Sequence, residues 1–157
     1  MMAELTVRRA AAADAARIHA LMRALAEHEG LTSYLAATPY TLEQALSAQP
    51  PRAAFLLAEV DGRATGFVSW TRVYGVWRGA DYLNLDDLFV VEAARGAGVG
   101  EALMRGFAAE AAVEGLSGRW EVRTDNYGAR RFYARLGADQ EEKVVVRWSA
   151  EAMRAVL

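Results

Sequence analysis

Cysteine is absent from the 157 residues, and that single absence removes disulfide frameworks, thiolate metal sites and a cysteine acyl-enzyme. Histidine is nearly as scarce. His19 and His28 are the two copies, nine positions apart, so a helix carries them on opposite sides and no two-histidine metal site forms. None of Ser33, Ser47, Ser69, Ser117 and Ser149 stands in a Gly-x-Ser-x-Gly elbow, which leaves a serine acyl-enzyme without local support. Basic charge is not in excess either: a net charge of -2 offers no stripe for a nucleic-acid backbone. No apolar run approaches the roughly 20 residues that span a bilayer, and Glu4, Arg8, Arg9 and Asp14 interrupt any signal-peptide core. The expectation is a cytoplasmic protein with no metal and no nucleic-acid or membrane partner.

What is present is a good supply of core. At 54% apolar residues, the chain can fill one interior, and a single domain over residues 1–157 is expected. LTVRRA reads as a first strand, and Ile18, Leu21, Met22 and Leu25 lie at helical spacing in a helix stopped by Gly30. TLEQALSAQ is a second helix, capped by Thr38 or Thr41 and cut off by Pro50 and Pro51. AAFLLAEV and ATGFVSWTRVY flank Asp61-Gly62, a strong hairpin signal. YLNLDDLFVV is a fourth strand, followed by a helix with Val99, Leu103, Met104, Phe107 and Ala111 on one face. RWEVRT is a fifth strand, residues 129–136 a helix ended by Gly137, and KVVVRW a last strand. The order β-α-α-β-β-β-α-β-α-β predicts an α/β fold with one mixed sheet, helices on both faces, and strands four and five parallel.

Between the fourth strand and its helix stand Gly96, Gly98 and Gly100. Glycines there permit positive φ and bare approach to main-chain N–H groups, and a helix N-terminus adds unpaired donors and partial positive charge. With Arg95 beside it, the turn reads as an anion cradle; the plain alternative is a tight strand-to-helix turn and nothing more. The spacing is not Gly-x-Gly-x-x-Gly after a first strand, and Glu101-Ala102 stands where a P-loop needs Lys-Ser/Thr, so both common nucleotide motifs fail. Upstream, Asp86 and Asp87 interrupt an apolar strand; strict alternation points them to opposite faces, where each is costly unless partnered.

Arg95-Gly96-Ala97-Gly98-Val99-Gly100, with Asn126-Tyr127-Gly128-Ala129-Arg130-Arg131-Phe132-Tyr133 and Leu136-Gly137-Ala138 downstream, resembles the two signatures of the GNAT family of N-acetyltransferases. The resemblance covers nearly the whole chain and implies that family's acyl-CoA N-acyltransferase fold, with acetyl-CoA as cosubstrate. It implies that the amides of the Gly96 turn, from Ala97 through Gly98, Val99 and Gly100 to Glu101, hold the pyrophosphate beside Arg95. Phe89, Val90 and Val91 would bond the pantetheine arm, with the amide of Val90 or Val91 facing the thioester oxygen, and Asn126 would approach from the far side.

Within the family, Leu85-Asp86-Asp87-Leu88-Phe89-Val90 resembles the corresponding strand of diamine and spermidine-type acetyltransferases. That likeness puts Asp86 where a glutamate accepts the proton of the amine, whose pKa is about 10.4 when free. Tyr133 matches the tyrosine that protonates the departing thiolate. Glu29, at the end of Leu25-Ala26-Glu27-His28-Glu29, and Trp77, in Trp77-Arg78-Gly79, are the matching acceptor contacts, grouped with Asp86 around a small cationic amine. Asn84 and Thr124-Asp125-Asn126 depart from that subgroup. An amino acid, an aminoglycoside or a protein amine is the alternative acceptor, and a non-catalytic acetyl-CoA sensor the alternative class. The family habit of dimerising makes a homodimer the expectation, with Trp148 and the last strand as contributors.

Overall fold

The computed structural model describes residues 2–157. They gather into two compact units, one ending at Trp120 and the other running from Glu121 to Leu157. The first holds β1 (Leu5–Arg9), α1 (Ala15–Glu29), α2 (Pro39–Ser47), β2 (Ala54–Val60), β3 (Arg63–Gly75), β4 (Ala80–Val90), α3 (Val99–Ala112) and β5 (Gly118–Arg119). The second holds α4 (Tyr127–Arg135) and α5 (Ala150–Arg154).

Local chemistry sets most of these boundaries. Gly30 ends α1 at φ +68°, and Thr38 starts α2 by accepting a hydrogen bond from the Thr41 amide at 3.2 Å, with Pro39 in the first helical turn. Asp61 and Gly62 both take positive φ, which gives the two-residue turn whose twist matches the strands it joins. The sheet runs β1-β2-β3-β4-β5, antiparallel except for the last pair, which is parallel as the intervening helix requires.

Alternation along β2 and β3 sorts the core into two layers. Phe55, Leu57, Phe67 and Phe89 face α1, where they enclose Ile18 and Leu21; the Phe67 ring lies 5.7 Å from Phe55 and 6.3 Å from Phe89. On the opposite face Trp70 meets the α3 residue Phe107 edge-on at 5.5 Å, and all five residues of the expected α3 stripe are buried. Gly106 lets α3 come this close: a Cβ there would stand 2.7 Å from a methyl of Leu56.

Two expected strands are not formed as read. Pairing of β5 stops at Arg119, so only the start of Arg119–Thr124 joins the sheet, and among the described residues Lys143–Trp148 makes no strand. The preference of Val144, Val145 and Val146 for extended backbone becomes a strand only where a neighbouring strand supplies the ladder. The second unit is organised instead around Arg130, whose Nε donates to Gln140 Oε1 at 3.1 Å and Nη1 to the Thr124 carbonyl at 2.8 Å. Gln140 returns a bond to the Arg130 carbonyl at 2.8 Å, clasping both flanks of α4. The short helix α5 was not expected, although Ser149 caps it by accepting from the Ala152 amide at 3.1 Å, a readable signal.

Candidate active site

After β4 the chain makes one 3-10 turn, Glu92–Ala94, and then enters the glycine turn. Gly96 and Gly98 hold φ of +78° and +80°, and a Cβ on either would meet nothing within 4 Å, so backbone conformation rather than crowding demands glycine. Gly98 is the N-cap of α3, with no side chain capping the helix. The first internal bond of the helix is from the Ala102 amide to the Gly98 carbonyl at 3.0 Å, so the amides of Val99, Gly100 and Glu101 have no intrahelical acceptor. Together with the exposed Ala97 they form a row of donors at the positive end of a helix dipole. That fits a pyrophosphate.

Arg95 takes a different position from the one expected. Its Nε donates to the Val90 carbonyl at 2.9 Å and its guanidinium lies 5.8 Å from the Phe89 ring centre, so it straps the glycine turn to the end of β4. The Val91 amide is likewise engaged, donating to the Thr65 carbonyl at 2.8 Å. Alternation along an antiparallel pair then turns the Val90 N–H to the edge away from β3. Of the two amides named for the thioester oxygen, Val90 is therefore the one on the β5 side, where the ladder ends at Asn84↔Arg119.

The carboxylates of β4 do not stand back to back. Trp70 pairs with Leu85 but Ser69 with Asp87, so Asp86 is the surplus residue of a β-bulge. The bulge resets which side odd-numbered residues face. Leu85 sits opposite Trp70 on the α3 side, while Asp87 and Phe89 sit on the α1 side opposite Ser69 and Phe67. Asn84 Nδ2 donates to Asp86 Oδ1 at 3.0 Å, and the Asp86 charge is among the causes that raise Asp87, so the two carboxyls are neighbours. Burial raises the Asp86 carboxyl against the pull of the Asn84 bond. For Asp87 burial acts first, followed by repulsion from Asp86 and from Glu29.

Asp87 floors a cleft with room for about 200 Å³. Helix α1 contributes Met22, Leu25, Ala26 and Glu29, and the loop beyond contributes Leu31, Tyr34 and Leu35. Glu29 lines the cleft with Asp87, not with Asp86 as the resemblance implied. Trp77 does not join them. It is fully exposed at the tip of the β3–β4 hairpin, beyond the last pair Gly75↔Ala80, and six residues of strand separate Ala80 from Asp86, roughly 20 Å. Tyr34 is the aromatic at the cleft, and no motif in the sequence singled it out.

In the second unit, Asn126 spends its side-chain oxygen as the N-cap of α4, accepting from the Ala129 amide at 3.1 Å. Tyr133 lies on α4, half-buried, with its ring 5.4 Å from Phe132. Among the described residues no cluster of three or more histidines, aspartates and glutamates is placed to hold a metal ion.

The pattern of the acetyltransferase (GNAT) family matches residues 18–138, a span that holds the β4 carboxylates, the glycine turn, Asn126 and Tyr133. No curated protein sequence matches the chain. Among solved structures, an aminoglycoside acetyltransferase from an uncultured soil metagenomic sample superposes with a TM-score of 0.79 at 16% identity, over 93% of this chain and 95% of that one. An integron cassette protein from the mobile metagenome of V. cholerae gives 0.77 at 22% identity, over 97% and 96%. An aminoglycoside N-acetyltransferase solved in complex with CoA gives 0.74 at 17% identity, over 96% and 97%. Those likenesses establish the fold. The chain belongs to the GNAT acetyltransferase family. It is an acetyl-CoA-dependent N-acetyltransferase.

Proposed function

We propose that this acetyltransferase acts on a small cationic primary amine, by direct attack within a ternary complex. The observation that carries the reading is the row of unspent amides from Ala97 to Glu101, following the strand whose bulge carries the carboxylates. Acetyl-CoA supplies an activated acyl thioester. The α3 amides take its pyrophosphate, Phe89 to Val91 take the pantetheine arm, and the Val90 N–H faces the thioester oxygen. The family resemblance also assigns Asn126 to the arm, and its side-chain nitrogen is the group that the α4 cap does not use. Arg95 acts by holding the turn to β4.

At the acceptor end, Asp87 and Glu29 draw in the ammonium. Asp86 takes its proton through water, and a carboxyl raised by burial is a better-matched base near neutral pH than an ordinary one. The neutral nitrogen then attacks the thioester carbonyl carbon, the C–S bond breaks, and the Tyr133 hydroxyl delivers a proton to the thiolate. The nitrogen gives up its remaining surplus proton to solvent, Tyr133 regains a proton and Asp86 loses one through water, so one proton is released per turnover and both side chains return to their starting state. The diamine reading loses Trp77 and keeps Glu29 and the β4 acids. An aminoglycoside, an amino acid or a protein amine would use the same machinery. The deciding experiment is thiol release from acetyl-CoA across a panel containing all four kinds of amine. Tight acetyl-CoA binding without thiol release from any amine would identify a sensor.

A further inference from the structure

The acceptor cleft has an uneven chemistry. Its charged groups, Glu29 and Asp87, come from the end of α1 and from β4, and the Glu29 charge bears on the Asp87 carboxyl. The rest of the wall is hydrocarbon: Met22 and Leu25 on α1, then Leu31 and Leu35 on the loop, with Tyr34 at the rim. Two anions lining one cleft of about 200 Å³ serve one cation shared between them. They do not serve two cations at the ends of a long chain. A second ammonium laid along Leu25 and Leu35 would find no carboxylate partner in the lining and would give up part of its water to hydrocarbon, which is unfavourable. Asp86 lies outside the cleft lining and, in the reading above, serves the reacting nitrogen through water.

Resting on the acetyltransferase reading above, we propose that the acceptor is a primary amine with one ammonium and an apolar body, its nitrogen between Asp87 and Glu29 and its body along Met22, Leu25, Leu31 and Leu35. Burial raises the Asp87 carboxyl first, and repulsion from Asp86 and Glu29 adds to it; a cation in the cleft offsets the repulsive part, so binding couples the ammonium to ionisation of that carboxyl. Polyamines and aminoglycosides, which carry several ammonium groups, are poor occupants of the same space.

The test is a homologous series. Butylamine, pentylamine and hexylamine, with 2-phenylethylamine, are compared with putrescine, spermidine and kanamycin by thiol release. Each added methylene of the monoamines is expected to raise kcat/KM by roughly two- to fourfold, the value of moving one CH₂ from water to hydrocarbon. 2-Phenylethylamine should exceed spermidine by about tenfold or more. Leu31→Asp, at a half-exposed position where the fold tolerates charge, should move the ratio at least about tenfold towards spermidine. If spermidine or kanamycin outpaces every monoamine, or chain length makes no difference, this inference is overturned while the acetyltransferase reading stands. If no amine releases thiol although acetyl-CoA binds, both fall.

Discussion

Substituting Gly98 by alanine separates the two things the glycine turn does. At φ +80° an L-residue carries a penalty of about 1–2 kcal/mol, and since its new Cβ meets nothing within 4 Å there is no clash to add. Gly115, at the opposite end of the same helix, has φ +66° and the same open surroundings. The 14-residue helix between them is about 21 Å long. Gly98→Ala and Gly115→Ala should therefore lower Tm by similar amounts, about 2–8 °C for a chain of this size. Their effects on acetyl-CoA must differ. Relaxing Gly98 tilts the first amides of α3, and misaligning one hydrogen bond to a charged group costs about 1.5–3 kcal/mol, roughly 10- to 150-fold in Kd. Titration calorimetry with acetyl-CoA, beside thermal melts without ligand, reads both quantities. Equal losses of affinity in the two variants, or a destabilised Gly98→Ala that binds as tightly as the native protein, would refute the amide cradle.

Asp14 makes a two-point pair with Arg8, at 2.9 and 2.8 Å, and caps the Ala11 amide, which together hold its carboxyl down at about 2. A depressed acid stabilises above its unfolded pKa and loses that contribution as pH falls, so Asp14→Asn should cost about 1–2 kcal/mol at pH 7, discounted for the half-exposed Arg8. The gap in urea denaturation should narrow between pH 4 and 2; a constant gap would put the effect elsewhere. Gly66→Ala places a Cβ 2.7 Å from the Phe89 carbonyl oxygen, so the β3–β4 ladder must shift, at a cost of about 1–3 kcal/mol in the same assay. Tyr133→Phe should reduce kcat by roughly 10²- to 10⁴-fold and leave the Kd for acetyl-CoA nearly unchanged. An unaltered kcat would remove Tyr133 from the chemistry.

The elements with a strong period or a strong stop were readable in advance. Gly30, Thr38 and Asp61-Gly62 are local signals, and Val99 to Ala111 repeat on one face regardless of what lies elsewhere, so those boundaries agree to within a residue or three. The open amides at the start of α3 were legible for the same reason, since Gly96 and Gly98 before a helix permit the positive φ that both adopt, and Gly100 lies in the first turn. Strand Lys143–Trp148 was not legible, because its valines state a preference that only a partner strand can convert into structure. The placement of Asp87 and Trp77 failed differently. Side-chain alternation is a rule about regular strands, and a bulge is decided by the pairing of two strands far apart in sequence. Trp77 has a motif-like neighbourhood in Trp77-Arg78-Gly79, yet only the length of the β3–β4 hairpin reveals how far its tip lies from the acids.

That bulge has a consequence for how the protein tolerates change. Asp86 is the one residue of β4 that the ladder skips, and with it deleted Leu85 and Asp87 would still meet Trp70 and Ser69. The apolar lettering of the strand is already in frame without it. Because Asp87 follows directly, deletion of either aspartate leaves the same chain, with the remaining aspartate opposite Ser69 and Leu85 still opposite Trp70. Sheet folding therefore sets no requirement for the residue that carries the proposed base, and an intact sheet lacking Asp86 would reveal what the bulge contributes to the reaction alone.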